Sequence, residues 1–248
     1  MEQRIFEFRE KYMNIVKYGK MLSDSKKDNR KRRKFLQAHA ESSYENLRES
    51  YDNSITTKFG RTERRYHTFS HVLDCIDVLN VSSQSLRLSA YDYQRLFMAI
   101  AWHDSVYKTH HKTKTTNEIE SAILFRSEFN DSQNYFSYLF VNDVSELIRK
   151  TDHFNTTSDG GFLNGVIRDI DLSGMGGGWQ KFKFNSQLVR MEYSEFTDEE
   201  YTKGRILIFE KLLERNCIFE TRLFESRFSI NAKSNIKREL LSLKESIS

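Results

Sequence analysis

The feature that most limits the possible folds is helical spacing of apolar residues in a chain of 248 residues without proline. Proline interrupts α-helices because it lacks an N–H donor and its ring clashes with the preceding turn. Apolar residues three and four positions apart, such as Val72, Leu73 and Ile76, predict amphipathic helices. No stretch alternates convincingly between apolar and polar residues. We therefore predict an all-α protein, a single helical bundle of about eight or nine helices.

The predicted bundle forms one domain over residues 1–248, with 1–50 as a helical N-terminal extension. The stretch 52–66 and the glycine-rich stretch after 173 are predicted loops, and 166–172 is a short apolar segment interrupted by two aspartates. The predicted helices span about 2–22, 33–51, 67–79, 91–107, 117–129, 142–152, 179–193, 198–214 and 232–245.

Composition excludes several classes of protein. Hydrophobic residues make up 38% of the chain and charged residues 30%, which is typical of globular rather than disordered proteins.

The net charge of +4 is concentrated between Lys26 and Lys34. This basic segment could contact a nucleic acid, or it could be a solvated helix face or a mobile arm. Nucleic acid is therefore a possible partner that we do not favour.

Cys75 and Cys217 lie far apart among apolar residues and are predicted to be buried, reduced thiols, as expected in the cytoplasm. The sequence shows no signal peptide, and no apolar run approaches the roughly 20 residues of a membrane span. We therefore expect a cytoplasmic protein without membrane contact.

Within this pattern, Trp102-His103-Asp104-Ser105 follows an apolar helix. Helical spacing aligns Leu96 and Ile100 with His103, and places Asp104 on the neighbouring stripe. Burying an imidazole and a carboxylate without partners is costly. A shared divalent metal ion would satisfy both groups, and ordinary hydrogen bonds within the core are the alternative.

Further histidines and aspartates lie on three other segments. They stand at the start of a predicted helix, near the end of another, and within the apolar segment before the glycines. Segments of this kind meet at the centre of a helical bundle, where such folds build metal sites. The candidates are His67, His71, His103, Asp104, His153, Asp169 and Asp171.

The order His, His-Asp, Asp resembles that of the HD superfamily of metal-dependent phosphohydrolases. The similarity extends to motifs of a bacterial and phage branch of predicted HD-domain phosphohydrolases and covers about residues 44–241. Those motifs are Arg64-Arg65-Tyr66-His67 with His71, Ala101-Trp102-His103-Asp104-Ser105-Val106-Tyr107, Asn117-Glu118 with Ser121-Ala122, Asp169-Ile170-Asp171-Leu172, Val189-Arg190-Met191-Glu192-Tyr193, Gly204-Arg205, Leu212-Leu213-Glu214-Arg215 and Ile218-Phe219.

The resemblance implies a metal site formed by an N-terminal histidine, His103, Asp104 and Asp171. His71 is the preferred first ligand because it heads the periodic run, and His67, in the Tyr-His dipeptide, is the alternative. Asp171 is preferred because the superfamily's last ligand precedes a leucine, which leaves Asp169 as a supporting or structural group. Two imidazoles and two carboxylates suit Mn²⁺, Fe²⁺, Co²⁺, Ni²⁺ or Mg²⁺.

Asp104 and Glu118 are the candidate catalytic groups. Asp104 could accept a proton from a metal-activated water, and Glu118 could act as a general acid or base. Alternatively, Glu118 is an acidic residue favoured at a helix N-terminus. Loop exposure and helix capping are plainer roles for some of the candidate substrate-binding residues, which are Arg64, His67, His110, His111, Lys114 and His153.

The resemblance predicts hydrolysis of a small phosphorylated substrate, a nucleotide or a related phosphate ester. A di-iron HD-fold oxygenase is an alternative, because the chain holds more histidines than one ion needs. A non-catalytic nucleotide- or nucleic-acid-binding module is another. Arg190 and Glu192 are predicted to form an internal salt bridge.

Overall fold

The computed structural model describes residues 1–18, 30–110, 115–129, 137–154 and 161–247. Within these ranges the chain is all-α, which confirms the predicted fold class with a helix count near the expected one. The elements are α1 (Glu2–Tyr18), α2 (Arg30–Asp52), β1 (Ile55–Thr57), β2 (Gly60–Thr62), α3 (Phe69–Ser82), α4 (Ala90–Trp102), α5 (Asn117–Phe129), α6 (Tyr138–Arg149), α7 (Phe162–Leu172), a 3-10 turn (Ser173–Gly176), α8 (Trp179–Glu192), α9 (Asp198–Leu213) and α10 (Arg222–Glu245).

Helix α4 lies at the centre of the bundle. Every residue from Leu96 to Trp102 is buried, and a helix that is apolar on all sides needs neighbours on all sides. Helices α3, α6 and α7 supply them. The segment predicted to carry the His-Asp pair is therefore the innermost element of the fold.

The N-terminal helices belong to the same hydrophobic core as α3 and α4. The Phe8 ring of α1 stacks on Phe97 of α4 at 5.1 Å and meets the edge of Phe69 of α3 at 4.9 Å, both measured between ring centroids. The side chains between Lys26 and Arg33, which form most of the basic segment, lie outside the described residues.

Several elements differ from the expectations. Helix α10 begins at Arg222, well before the predicted start near 232. Strands β1 and β2 form an antiparallel hairpin where a loop was predicted, and their three-residue length is too short for alternation to be recognised. Gly60 closes its turn at φ +130°, a conformation that favours glycine. Helix α7 occupies the stretch predicted only as an apolar segment. Helix α4 ends at Trp102 rather than near 107, so His103 caps it and Asp104 follows the helix.

Helix α10 holds the turn between α7 and α8. The Asn235 amide donates to the backbone carbonyls of Met175 and Gly177, at 2.9 and 2.8 Å. Gly176 packs so closely on α10 that a Cβ atom there would lie 2.5 Å from the Cβ atom of Phe228. This contact fixes the backbone that follows the predicted ligand Asp171.

Two further expectations concern membrane-spanning helices and the burial of the two cysteines. Within the described ranges, none of the helices has the length and apolar character needed to cross a bilayer. Cys75 is buried, as predicted, whereas the prediction for Cys217 was wrong because its side chain is exposed in the loop between α9 and α10.

Candidate metal centre

The four preferred metal ligands converge from three helices. His71 lies in the first turn of α3, His103 and Asp104 follow the last turn of α4, and Asp171 lies in the last turn of α7. The Nε2 atom of His71 lies 3.0 Å from Oδ1 of Asp171 and 3.8 Å from Oδ2 of Asp104. One ligand atom each from His71, His103 and Asp104 fits within 4.8 Å, a spacing that could hold one ion.

The His103 ring is oriented for coordination. Its Nδ1 lies 2.8 Å from the carbonyl oxygen of Ile100, so Nδ1–H donates to that oxygen and Nε2 points to the carboxylates. Nε2 is buried without a hydrogen-bond partner, 3.0 Å from Oδ2 of Asp104 and 3.5 Å from Oδ1 of Asp171. Two buried carboxylate oxygens beside this nitrogen require a positive charge, which either a proton on Nε2 or a bound metal ion supplies. The donor set therefore fits a divalent metal ion.

Each charged group of the cluster favours the charged form of its neighbours. Burial opposes protonation of His103, but the charges of Asp104 and Asp171 raise its pKa well above the ordinary value. Burial acts against ionisation of the two carboxyls, yet the neighbouring imidazoles lower the pKa of both. Both aspartates are therefore ionised, as metal coordination requires.

His153 adjoins the cluster from the end of α6. Its Nε2 lies 2.8 Å from Oδ2 of Asp171, while His71 and His103 face Oδ1 of the same carboxylate. Arg215 donates to the carbonyl oxygen of His153 and holds the loop in place. The Nδ1 atom of His153 is buried without a partner.

Cys75 is a neighbour of the site that the sequence analysis did not identify. It lies one helical turn after His71, and its Sγ is 3.7 Å from Nε2 of His71. With His71 and Asp171 it forms a second group of possible ligands within 4.8 Å. Burial raises the pKa of the Cys75 thiol well above its ordinary value. The i, i+4 spacing from His71 was the available signal.

His67, the alternative first ligand, lies outside both groups. Its Nδ1 is 2.6 Å from Oε2 of Glu192, and its ring stacks on Tyr107 at a centroid distance of 3.7 Å. The other oxygen, Oε1 of Glu192, accepts the backbone N–H groups of Arg65, Tyr66 and His67 at 2.7–2.9 Å. Glu192 thus fixes the segment that leads into α3.

The predicted salt bridge between Arg190 and Glu192 was wrong. Arg190 instead donates to the carbonyl oxygens of Tyr193 and Phe196 and pairs with Asp198 at 2.7 Å. The two side chains are two positions apart on α8, and residues at that spacing do not share a helix face.

Other motif residues position the backbone around the site. The Arg64 guanidinium donates to the carbonyl oxygens of Asp104 and Ser105, among others, and Arg64 does not line the cavity at the site. Asn117 hydrogen-bonds both the N–H and the carbonyl of Lys108, and so ties the loop after Asp104 to α5. These contacts give Arg64 a structural role in place of the predicted contact with substrate.

Comparisons of the chain with protein-family models, with curated proteins and with solved structures gave no match. The resemblance to HD phosphohydrolases therefore stays a prediction from the sequence motifs.

The cluster opens into a cavity of about 450 Å³. Asp104, Asp171, His67 and His153 line it, and much of the remaining wall is aromatic. Glu118, the second residue of α5, also lines the cavity, and burial, with the negative charges of Asp152 and Asp104, raises its pKa. The aromatic wall residues include Tyr66, Tyr107, Phe154, Phe182, Tyr193, Phe196 and Tyr201.

The other candidates lie elsewhere. His110 is half-buried and is not among the residues lining the cavity, and His111 and Lys114 lie outside the described residues. Asp169 is buried on a different side of α7 from Asp171 and accepts three hydrogen bonds from Glu220 and Thr221 at the start of α10. Burial raises its pKa to about 6, although these hydrogen bonds oppose the change. Asp169 therefore has a structural role.

Proposed function

We propose that this protein is a metal-dependent phosphohydrolase of the HD type that acts on a nucleotide or a related small phosphate ester. One observation carries the proposal: the buried Nε2 of His103 faces the carboxylates of Asp104 and Asp171 beside His71. A cluster with this donor set at the wall of an aromatic cavity supports binding and reaction of an organic phosphate.

His71, His103, Asp104 and Asp171 would hold the ion, and their nitrogen and oxygen donors suit Mn²⁺, Fe²⁺, Co²⁺, Ni²⁺ or Mg²⁺. When bound, such an ion polarises a phosphoryl oxygen and lowers the pKa of a coordinated water molecule.

The surrounding residues can bind the ester and move protons. Glu192 accepts from Nδ1 of His67, so Nε2 of this cavity-lining ring can donate to a phosphoryl oxygen when the imidazole is protonated. Glu118 holds a proton more tightly than an exposed glutamate because its carboxyl is buried. It can therefore donate that proton to the leaving group.

The decisive experiment measures metal content and turnover together. We expect protein purified without chelator to contain about one divalent ion per chain and to release phosphate from a member of a nucleotide panel in Mn²⁺, Co²⁺ or Mg²⁺. His103→Ala and Asp104→Asn should reduce turnover by at least about 100-fold, because each removes a ligand. Glu199→Gln, an exposed change on α9, is the control. Absence of turnover across the panel with all three metals contradicts the proposal.

A di-iron oxygenase is a second candidate, favoured by His153. His153 lies 2.8 Å from the second oxygen of Asp171, so His153 and Asp171 would supply donors to a second ion. Two irons per chain together with oxygen consumption would support this function, whereas one ion per chain with phosphate release would exclude it.

A further inference from the structure

We propose that Arg205 forms an anion-binding site in the same cavity, which receives a second negatively charged group of the substrate away from the reacting phosphoryl group. The inference deepens the proposed function and rests on it for the identity of the reacting end.

Arg205 is a cation that no acidic side chain of the described residues neutralises. It lies on α9 and lines the cavity, and its Nε is buried without a hydrogen-bond partner. It forms no ion pair with any of the described residues, although its guanidinium carbon lies 4.4 Å from the centroid of the Phe209 ring. Stacking on an aromatic face stabilises the positive charge of a guanidinium but leaves its N–H groups free to donate hydrogen bonds. Such donors point to an anionic ligand.

The nearby carboxylates are already engaged. Glu200, which lines the same cavity, accepts the N–H and the hydroxyl of Thr197 in a capping box at the start of α9. Asp104 and Asp171 face the histidines of the metal centre. Among the described residues that line the cavity, Arg205 is the single arginine or lysine, set against four acidic side chains.

Tyr201 supplies a second donor. It precedes Arg205 by four residues, so both side chains lie on one face of α9, and both line the cavity. The Tyr201 hydroxyl is buried without a partner. A hydroxyl and a guanidinium that face one space without protein acceptors can bind the same anionic oxygens.

Arg205 and the metal centre face the same cavity. Arg205, Tyr66 and Asp171 line this cavity of about 450 Å³. The Tyr66 ring lies 4.9 Å from the ring of His71, measured between centroids. One small molecule could therefore contact Arg205 and the metal centre together.

These features select a class of substrate. The aromatic wall favours a ligand with an aromatic ring. The metal centre favours a phosphoryl group, and Arg205 with Tyr201 favours a second anionic group. A nucleoside diphosphate or triphosphate combines all three. An aromatic monoester without a second anion would leave Arg205 and Tyr201 without partners.

A binding experiment tests the anion site without requiring turnover. The protein is stripped of metal on a chelating resin, and inorganic pyrophosphate is titrated in a calorimeter at low salt. Without a metal ion, the two aspartates repel the probe, so binding reports on Arg205. We expect Arg205→Gln to weaken binding at least tenfold and Arg205→Lys to weaken it less. Lys203→Gln removes the same charge from an exposed position of α9 and should change affinity less than twofold.

Circular dichroism shows whether each variant is folded. If Arg205→Gln fails to fold, the pyrophosphate affinity of Arg205→Lys is compared with that of the wild type instead. Pyrophosphate that fails to bind the wild type, or that binds Arg205→Gln within twofold of the wild type, overturns the inference.

Kinetics separate this inference from the proposed function. With Mn²⁺ present, we expect Arg205→Gln to raise KM for ADP at least tenfold with kcat within threefold, and to affect p-nitrophenyl phosphate at least fivefold less. If pyrophosphate binding depends on Arg205 but no ester is hydrolysed, the proposed function fails and the anion site stands. If esters are hydrolysed and Arg205→Gln changes neither binding nor KM, the anion site is overturned and the proposed function stands.

Discussion

Glu192 on α8 binds the imidazole of His67, 125 residues earlier in the chain, with Oε2 lying 2.6 Å from Nδ1. The same carboxylate accepts three consecutive backbone N–H groups with its other oxygen, and its side chain is completely buried. One acidic residue thus fixes the backbone that carries two of the candidate site histidines. Its loss should affect both stability and ligand geometry.

We expect Glu192→Ala to lower the free energy of unfolding by about 3–5 kcal/mol, because it removes a fully buried carboxylate and leaves a partly buried imidazole and three backbone N–H groups without an acceptor. Glu192→Gln should cost about 1–2 kcal/mol, since the amide oxygen can still accept from the backbone. Urea denaturation measures both. Glu199→Ala, which breaks an exposed pair with Lys203, should change stability by no more than about 0.5 kcal/mol. Equal losses in Glu192→Ala and Glu199→Ala would contradict this account.

The choice between His71 and His67 can be tested by metal content. His71 lies within reach of His103, Asp104 and Asp171, whereas His67 is held by Glu192 and Tyr107. We therefore expect His71→Ala to lose the ion and His67→Ala to retain it. Elemental analysis of both proteins, purified in parallel without chelator, gives the answer. Retention by His71→Ala and loss by His67→Ala would reverse the assignment.

Much of the site was predictable because its residues lie in local patterns. Helical periodicity placed His71 at the start of an apolar run, and the His-Asp dipeptide stands directly after the central helix. The leucine after Asp171 led to the preference for that residue over Asp169. The structure brings Asp171 into the cluster, while Asp169 binds the backbone just before α10.

The remainder depended on contacts between distant parts of the chain, which local spacing does not reveal. The partner of Glu192 is His67 rather than Arg190, and Arg64 binds carbonyl oxygens beyond the end of α4 instead of a ligand. The hairpin 55–62 was too short to give a periodic signal. Arg205 belonged to a recognised motif, but only the fold brings its guanidinium, with a buried Nε, into the cavity.

Binding of the ion should stabilise the folded chain. A ligand at 100 times its Kd adds about 2.7 kcal/mol, which for a protein of this size corresponds to a rise in Tm of about 5–10 °C. We expect Mn²⁺ or Co²⁺ to produce such a rise, and chelation to reverse it.

The two aspartates of α7 form a matched pair for this measurement. Asp171→Asn should abolish the metal-induced rise because it removes a ligand that three histidines contact. Asp169→Asn, two residues earlier, should keep the rise, because Asp169 faces the start of α10 rather than the cluster. Differential scanning fluorimetry with and without metal distinguishes them. An unchanged rise in Asp171→Asn would remove that residue from the ligand set.

The turn after Asp171 gives a final prediction, through its packing against α10. A Cβ atom at Gly176 would lie 2.5 Å from the Cβ atom and 2.9 Å from the carbonyl oxygen of Phe228, so the turn and α10 must separate to accept it. We expect Gly176→Ala to lower the free energy of unfolding by about 1–3 kcal/mol. Gly178→Ala is the matched control, because nothing lies within 4 Å of its Cβ position and its φ of −61° suits any residue.

Gly176→Ala should also weaken metal binding relative to Gly178→Ala, because the shifted turn adjoins the last turn of α7, which carries Asp171. Urea denaturation and metal titration of the two variants test both effects. If Gly176→Ala matched Gly178→Ala in stability, the close approach of the turn to α10 would be absent in solution. A loss of stability with unchanged metal affinity would show that the turn supports the fold without positioning the ligand.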